Sequence, residues 1–226
     1  MRAQVEVISL GNEKAALVSL WTRWRRLALP ALFMLAAVYL EELFLKLYCF
    51  HTLTVEGAIF TFLFTMPLAI LLGLLCGGTP VRLGRVLLPL CTGLVSVWVG
   101  TYHLFKAFLT VFSLTKMAMV AQSFGEMAVG NVLANWLPIL TMMVPTLLAL
   151  WFRERLIPND ALAKGQRIRM AAVAAAIQLL SMGLVLLCGG GVLSLRYIYY
   201  RTATPELEVQ NFGVFTQTQL ELRRVL

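Results

Sequence analysis

Formal charge is scarce in this chain: Asp, Glu, Lys and Arg make up 13% of its 226 residues, against roughly a quarter in an ordinary soluble domain. Too little charged surface is left to keep a globular fold in water, and with 60% hydrophobic residues the sequence reads as a multi-pass membrane protein. Histidine is reduced to His51 and His103, and cysteine to Cys49, Cys76, Cys91 and Cys188. None of these stands at C-x-x-C spacing, so neither a zinc site nor a disulfide framework is indicated, and the thiols read as small buried hydrophobes. Also missing are a phosphate-binding Walker loop, a G-x-S-x-G elbow, an H-E-x-x-H pair, a dinucleotide fingerprint and any Asp/His cluster at metal spacing. No pair of broken helices or ladder of intramembrane charges marks a transporter. The residues alone therefore describe a membrane module without a catalytic centre.

The net charge of +8 would suggest nucleic acid in a soluble protein. Here the basic residues sit in short segments beside apolar runs, which is the pattern of membrane topology, so nucleic acid is excluded as a partner. Five apolar runs are long enough to cross a bilayer. The first occupies residues 27–40 and is completed by the turns up to Tyr48. Val38, Tyr39, Leu40, Glu41 and Glu42 follow its apolar core where a cleavable signal peptide would have small residues, so this span is retained. The others cover residues 57–76, 86–105, 133–152 and 171–193. The expected fold is all-α, with a cytoplasmic segment 1–26, a five-span membrane domain 27–195 and an extracellular tail 196–226.

Orientation follows from the basic residues. With the N-terminus inside, Arg2, Lys14, Arg23, Arg25, Arg26, Arg82, Arg85, Arg153, Arg155, Lys164, Arg167 and Arg169 lie on the cytoplasmic side, twelve of the nineteen Lys and Arg. An odd number of spans then puts the tail outside. Residues 106–131, between the third and fourth spans, are too polar to cross and too apolar to hang in water. They are expected to form two short helices on the outer leaflet, hinged near residues 123–125.

Glu41, Glu42 and Lys46 fall near the outer end of the first span, and Glu42 and Lys46, four residues apart, share a helix face. Charges at this depth either reach back to the headgroups or face a paired or wet interior. Tyr102, His103, Phe105 and Lys106 close the third span as an anchoring belt or as a lip for an anionic headgroup. With Glu41, Lys46 and Lys116 they define an outer groove as the candidate headgroup site. Gly73-x-x-x-Gly77 and Gly189–Gly190–Gly191 permit close helix approach, Pro138 and Pro145 fall within the fourth span, and Gln178 and Ser181 are placed to bond a neighbouring helix. In the tail, Tyr197, Tyr199, Tyr200 and Arg201 form an interfacial collar, Thr204–Pro205 breaks the helix, and Asn211–Phe212–Gly213 turns into a new helix from Val214. That helix has no stop signal at Leu226, so the chain is expected to continue.

Two stretches carry a family likeness. Gly100–Thr101–Tyr102–His103–Leu104–Phe105, followed by Phe108–Leu109–Thr110–Val111–Phe112–Ser113–Leu114–Thr115–Lys116 and Ala121–Gln122–Ser123, resembles the third-span exit and outer connection of lipoteichoic acid synthases. The tail from Glu206, centred on Asn211–Phe212–Gly213–Val214–Phe215–Thr216, is similar to their linker toward the extracellular enzyme. The resemblance implies a polytopic phosphoglycerol transferase. In such an enzyme a sulfatase-like domain takes phosphoglycerol from phosphatidylglycerol through a Thr nucleophile and a divalent metal, Mn2+. None of that domain's catalytic or metal residues is carried by this chain. His103 stands where the family pattern has a second aromatic, which bears on the polymer made. A free-standing channel or assembly factor, complete at Leu226, is the alternative.

The topology is open to a direct check. In a background without the four native cysteines, Arg82→Cys should be shielded from a membrane-impermeant thiol reagent in intact cells, and Pro205→Cys should be labelled. Labelling at position 82 from outside would reverse the orientation.

Overall fold

The computed structural model describes residues 2–51, 53–105, 130, 132–159, 164–189, 191, 194–201 and 204–225, with side chains from Trp24 onward except at 103–105, 164 and 225. All regular structure among these residues is helical, and five helices are long and apolar enough to cross a membrane. Helix α1 (Arg2–Leu45) continues through a π-helical turn, Lys46–Phe50, to a left-handed residue, His51. Its membrane part is Trp24–Phe50. It is followed by α2 (Val55–Gly78), α3 (Val81–Phe105), α4 (Trp136–Leu156) and α5 (Lys164–Leu187), and then by three short helices, α6 (Leu195–Tyr200), α7 (Pro205–Phe212) and α8 (Val214–Val225). This is an all-α, multi-pass membrane protein. The expected outer-leaflet helices of residues 106–131 lie outside the described residues, apart from Gly130.

Two boundaries differ from the sequence reading for local reasons. The segment before Arg26 is not separated from the first span but continuous with it, because nothing between Arg2 and the membrane interrupts the helix. The fifth span ends at Leu187 rather than 193: Cys188 donates its N–H to Val185 O and Gly189 takes φ +58°, a left-handed residue after the last turn that glycine adopts without strain. Ser194 then caps α6, its hydroxyl accepting from Tyr197 N.

Helix α2 is the hub, packing on α1, α3, α5 and α7, while α4 packs on α3. With no hydrophobic drive between helices in lipid, close approach has to come from shape, and the α1–α2 seam supplies it through glycine. A Cβ placed on Gly73 would lie 2.4 Å from Ala31 Cα, and one on Gly77 would lie 2.4 Å from Arg26 O. The backbones touch where Gly73-x-x-x-Gly77 predicts contact. At the same end Arg26 donates to Thr79 O (2.7 Å), which ties the α2–α3 turn to α1. Arg85 reaches across from α3 to Ile157 O (3.3 Å) and Asn159 Oδ1 (3.3 Å) beyond the end of α4. Ser181 hydrogen-bonds to Leu63 O across the α2–α5 interface (3.4 Å), the neighbouring-helix role expected of it.

Replacing Gly73 by Val should separate α1 from α2 and destabilise the fold by about 1–3 kcal/mol, read as a lower thermal midpoint in detergent. Gly183→Ala, where an added Cβ meets nothing within 4 Å, should be neutral or slightly stabilising.

Candidate functional site

The polar centre of the molecule lies where the Phe50 end of the first span meets the tail. Glu41, Glu42 and Lys46 are 3%, 1% and 1% exposed, so they face the interior and not the headgroups. Each is engaged by a different element.

Glu42 receives the tail. Gln217 N bonds to Gly213 O, which closes the first turn of α8 and leaves its leading N–H groups without intrahelical acceptors. Two of these point at the Glu42 carboxylate: Val214 N donates to Oε2 (3.0 Å) and Phe215 N to Oε1 (3.3 Å). A carboxylate at a helix N-terminus is favoured both by the bonds and by the helix dipole. Gly213 makes the approach possible. It sits at φ +91°, and a Cβ there would fall 2.8 Å from the Glu42 carboxylate. Phe212 is inserted at the same point, edge-on to Phe60, Phe64 and Tyr199 with ring centroids 6.0, 5.7 and 5.3 Å away. Asn211 secures its own helix by donating to Leu207 O (2.8 Å).

Lys46 faces α2. Its ammonium donates to Gly57 O (3.1 Å) and to Thr61 Oγ1, and lies close enough to Glu42 for the two charges to interact. Thr61 in turn donates to Gly57 O (2.7 Å). The π-helical turn that begins at Lys46 is a local widening of a kind frequent at functional positions. Glu41 faces α3, where Ser96 Oγ donates to its Oε1 (2.7 Å) and Thr146 Oγ1 of α4 stands 3.3 Å from Ser96 Oγ.

The tail is braced beyond the Glu42 contact. Arg224 of α8 bonds Glu208 of α7 at 2.6 Å, and the Arg223 guanidinium lies over the Tyr200 ring, 5.6 Å from its centroid. Burial holds the Glu208 carboxyl above the ordinary carboxylate range, and the Arg224 bond offsets part of that rise. A group that binds its proton more tightly in the folded state stabilises it at acid pH, and that contribution fades as pH rises through the folded value.

Of the expected headgroup residues, Glu41 and Lys46 are therefore turned into the bundle. Tyr102 is buried as well and stacks on Phe50, with ring centroids 5.4 Å apart. The His103 side chain, Lys106 and Lys116 lie outside the described residues. Among the described residues no group of three or more His, Cys, Asp and Glu is placed to hold a metal ion. Sequence does not single out Ser96 and Thr146, and Glu42, noted with Glu41 and Lys46 as a deep charge, is not placed in the headgroup groove. Glu42 had a signal, a second carboxylate inside a span. Its partners 172 and 173 residues away had none.

No protein-family model, curated protein or solved structure matches this chain.

Glu42→Ala would leave two helix-terminal N–H groups without their acceptor and Lys46 without its counter-charge, and breaking a buried charged contact of this kind costs about 3–5 kcal/mol. The expected result is a tail released from the bundle, seen as loss of amide-exchange protection in α7 and α8. Gly213→Val, which clashes with the same carboxylate, should give the same pattern. Glu208→Gln should instead flatten the decline in tail protection as the pH is raised.

Proposed function

We propose that this chain is the membrane domain of a phosphoglycerol transferase of the lipoteichoic acid synthase type. In this reading it is a multi-pass protein of a bacterial cell membrane, N-terminus cytoplasmic and tail extracellular. It holds a sulfatase-like catalytic domain over the leaflet that supplies phosphatidylglycerol. One observation carries the reading: the segment centred on Asn211–Phe212–Gly213, where the family likeness lies, is seated on the bundle by Glu42 and the Phe212 cage. A segment that merely tethered a domain would need no such seat. A segment that sets a domain's height and angle over the lipid does.

In this scheme the transfer chemistry, with its Thr nucleophile and Mn2+, belongs to the further domain, and no residue of this chain acts as nucleophile. The chain contributes geometry and lipid presentation. Glu41 and Lys46 are committed inside the bundle, so headgroup contact falls to the residues near the third-span exit, His103, Lys106 and Lys116. A lysine beside a phospholipid surface contributes only about 1 kcal/mol, so capture of an anionic headgroup depends on several acting together.

The test is made on the full translation product in vesicles of phosphatidylglycerol with Mn2+. Continuation of the reading frame into a sulfatase-like domain, together with formation of diacylglycerol and glycerol-phosphate polymer, is the expected result. A stop codon directly after Leu226 would overturn the proposal and favour the free-standing membrane protein. Lys106→Gln with Lys116→Gln should reduce co-purified phosphatidylglycerol and polymer output, whereas Glu42→Ala should reduce polymer output with lipid retention unchanged.

A further inference from the structure

The outer half of the bundle does not balance its charge. Among the described residues, the formal charges in this half of the spans, outside their first and last four residues, are Glu41, Glu42 and Lys46, two negative against one positive. Lys46 is directed to α2 and to Glu42. Both oxygens of Glu42 already accept N–H groups of α8. Among the described residues Glu41 is left with a single hydroxyl on Oε1, and its buried Oε2 has no hydrogen-bond partner. It stands nine residues before the end of the span at Phe50, roughly 13 Å along the helix. An uncompensated carboxylate at such a depth is strongly disfavoured.

The surroundings of Glu41 are oxygen-rich. Ser96 Oγ, 2.7 Å from Oε1, is also 3.0 Å from Thr92 O, so one proton is shared between the two acceptors. With that proton committed, Thr146 Oγ1 donates to Ser96 Oγ at 3.3 Å, which leaves one lone pair on Ser96 Oγ and those on Thr146 Oγ1 available. Carboxylate, hydroxyl and carbonyl oxygens are the donor set of a hard cation of low charge. With one carboxylate free, a single positive charge restores neutrality.

We propose that Glu41 is an exchangeable site for one monovalent cation, a proton or a sodium ion, held where α1, α3 and α4 meet. In the proton case an O–H bond forms on Oε2, with the proton taken from the aqueous phase. In the sodium case Oε2, Ser96 Oγ and Thr146 Oγ1 turn their lone pairs to the ion. Of the titratable groups among the described residues of the packed helices, Glu42 lies within electrostatic reach of Glu41 but is held by α8; Cys91 of α3 lies in the cluster with Met34 and Cys76, Tyr102 stacks on Phe50, Glu56 heads α2, and Arg153, Glu154 and Arg155 end α4. Of the tail's acids, Glu208 is bound to Arg224.

The whole chain, purified in detergent, is unfolded by heat over a range of pH in sodium-free choline buffer, and again with NaCl. The wild-type midpoint should fall as the pH is raised from mildly acidic to alkaline. Recovery on adding NaCl, but not KCl, assigns the site to sodium, and no recovery assigns it to the proton. Glu41→Gln, neutral and of the same size, should lose the NaCl response and show a shallower pH dependence than wild type. Wild type and Glu41→Gln following the same curves in both media would overturn the proposal. If Glu41→Gln does not fold, Ser96→Ala decides: removal of the hydroxyl should shift the midpoint of the pH dependence upward or weaken the NaCl response, and curves coincident with wild type would overturn the proposal equally.

Discussion

The contact between the Glu42 carboxylate and the first N–H groups of α8 is the interaction on which the rest of the outer architecture rests. It joins the first span to the last helix, and it accounts for several features that look unrelated in isolation. Gly213 is bare because a side chain there would occupy the carboxylate's place. Phe212 is driven into its aromatic cage because the chain must enter α8 from that side. Lys46 is buried because a carboxylate so far from water needs a cation nearby, and its ammonium donates to Gly57 O and Thr61 Oγ1. Each neighbour satisfies a group that would otherwise be stranded in a medium of low dielectric.

How much of this could be read beforehand depended on the range of the interaction. The spans were legible because apolar length is a local property, and the Gly73-x-x-x-Gly77 approach because close packing in lipid has few other solutions. The Phe212–Gly213 break was legible too, since glycine before a new amphipathic run marks a helix start. The end of the fifth span was misjudged because hydropathy stays high through Leu193, whereas Gly189 terminates the helix through its backbone conformation. Glu41 and Lys46 were assigned to an open groove because sequence shows that a charge is deep without showing which neighbour it meets. Ser96 and Thr146 carry no mark at all: hydroxyls that bond their own helix are ordinary in spans, and only the crossing of α1, α3 and α4 brings these two to a carboxyl.

The two ends of the bundle are held by different means. At the arginine-bearing end the contacts are guanidinium to carbonyl, Arg26 to Thr79 and Arg85 to Ile157, which position turns near water. At the other end, carboxyl, ammonium and hydroxyl groups are buried within the bundle, and Phe60, Phe64, Tyr199 and Phe212 pack on one another. The first kind tolerates displacement because water can replace a lost partner. The second does not, and small shifts in the tail are therefore transmitted to the buried charges of α1.

The closure by Glu42 also bears on biosynthesis. Residues 41–46 leave the ribosome long before Val214 and Phe215, so the first span enters the bilayer with one of its acids lacking the donors it will finally have. Lys46 travels with it on the same helix face and can neutralise that acid from the outset, and α2 arrives next with Gly57 and Thr61 to fix the lysine. The polar cluster is thus assembled in the order of synthesis. Its last vacancy is filled only when the tail has been made and docks, which makes docking of α8 a signal, internal to the chain, that insertion of all five spans is complete.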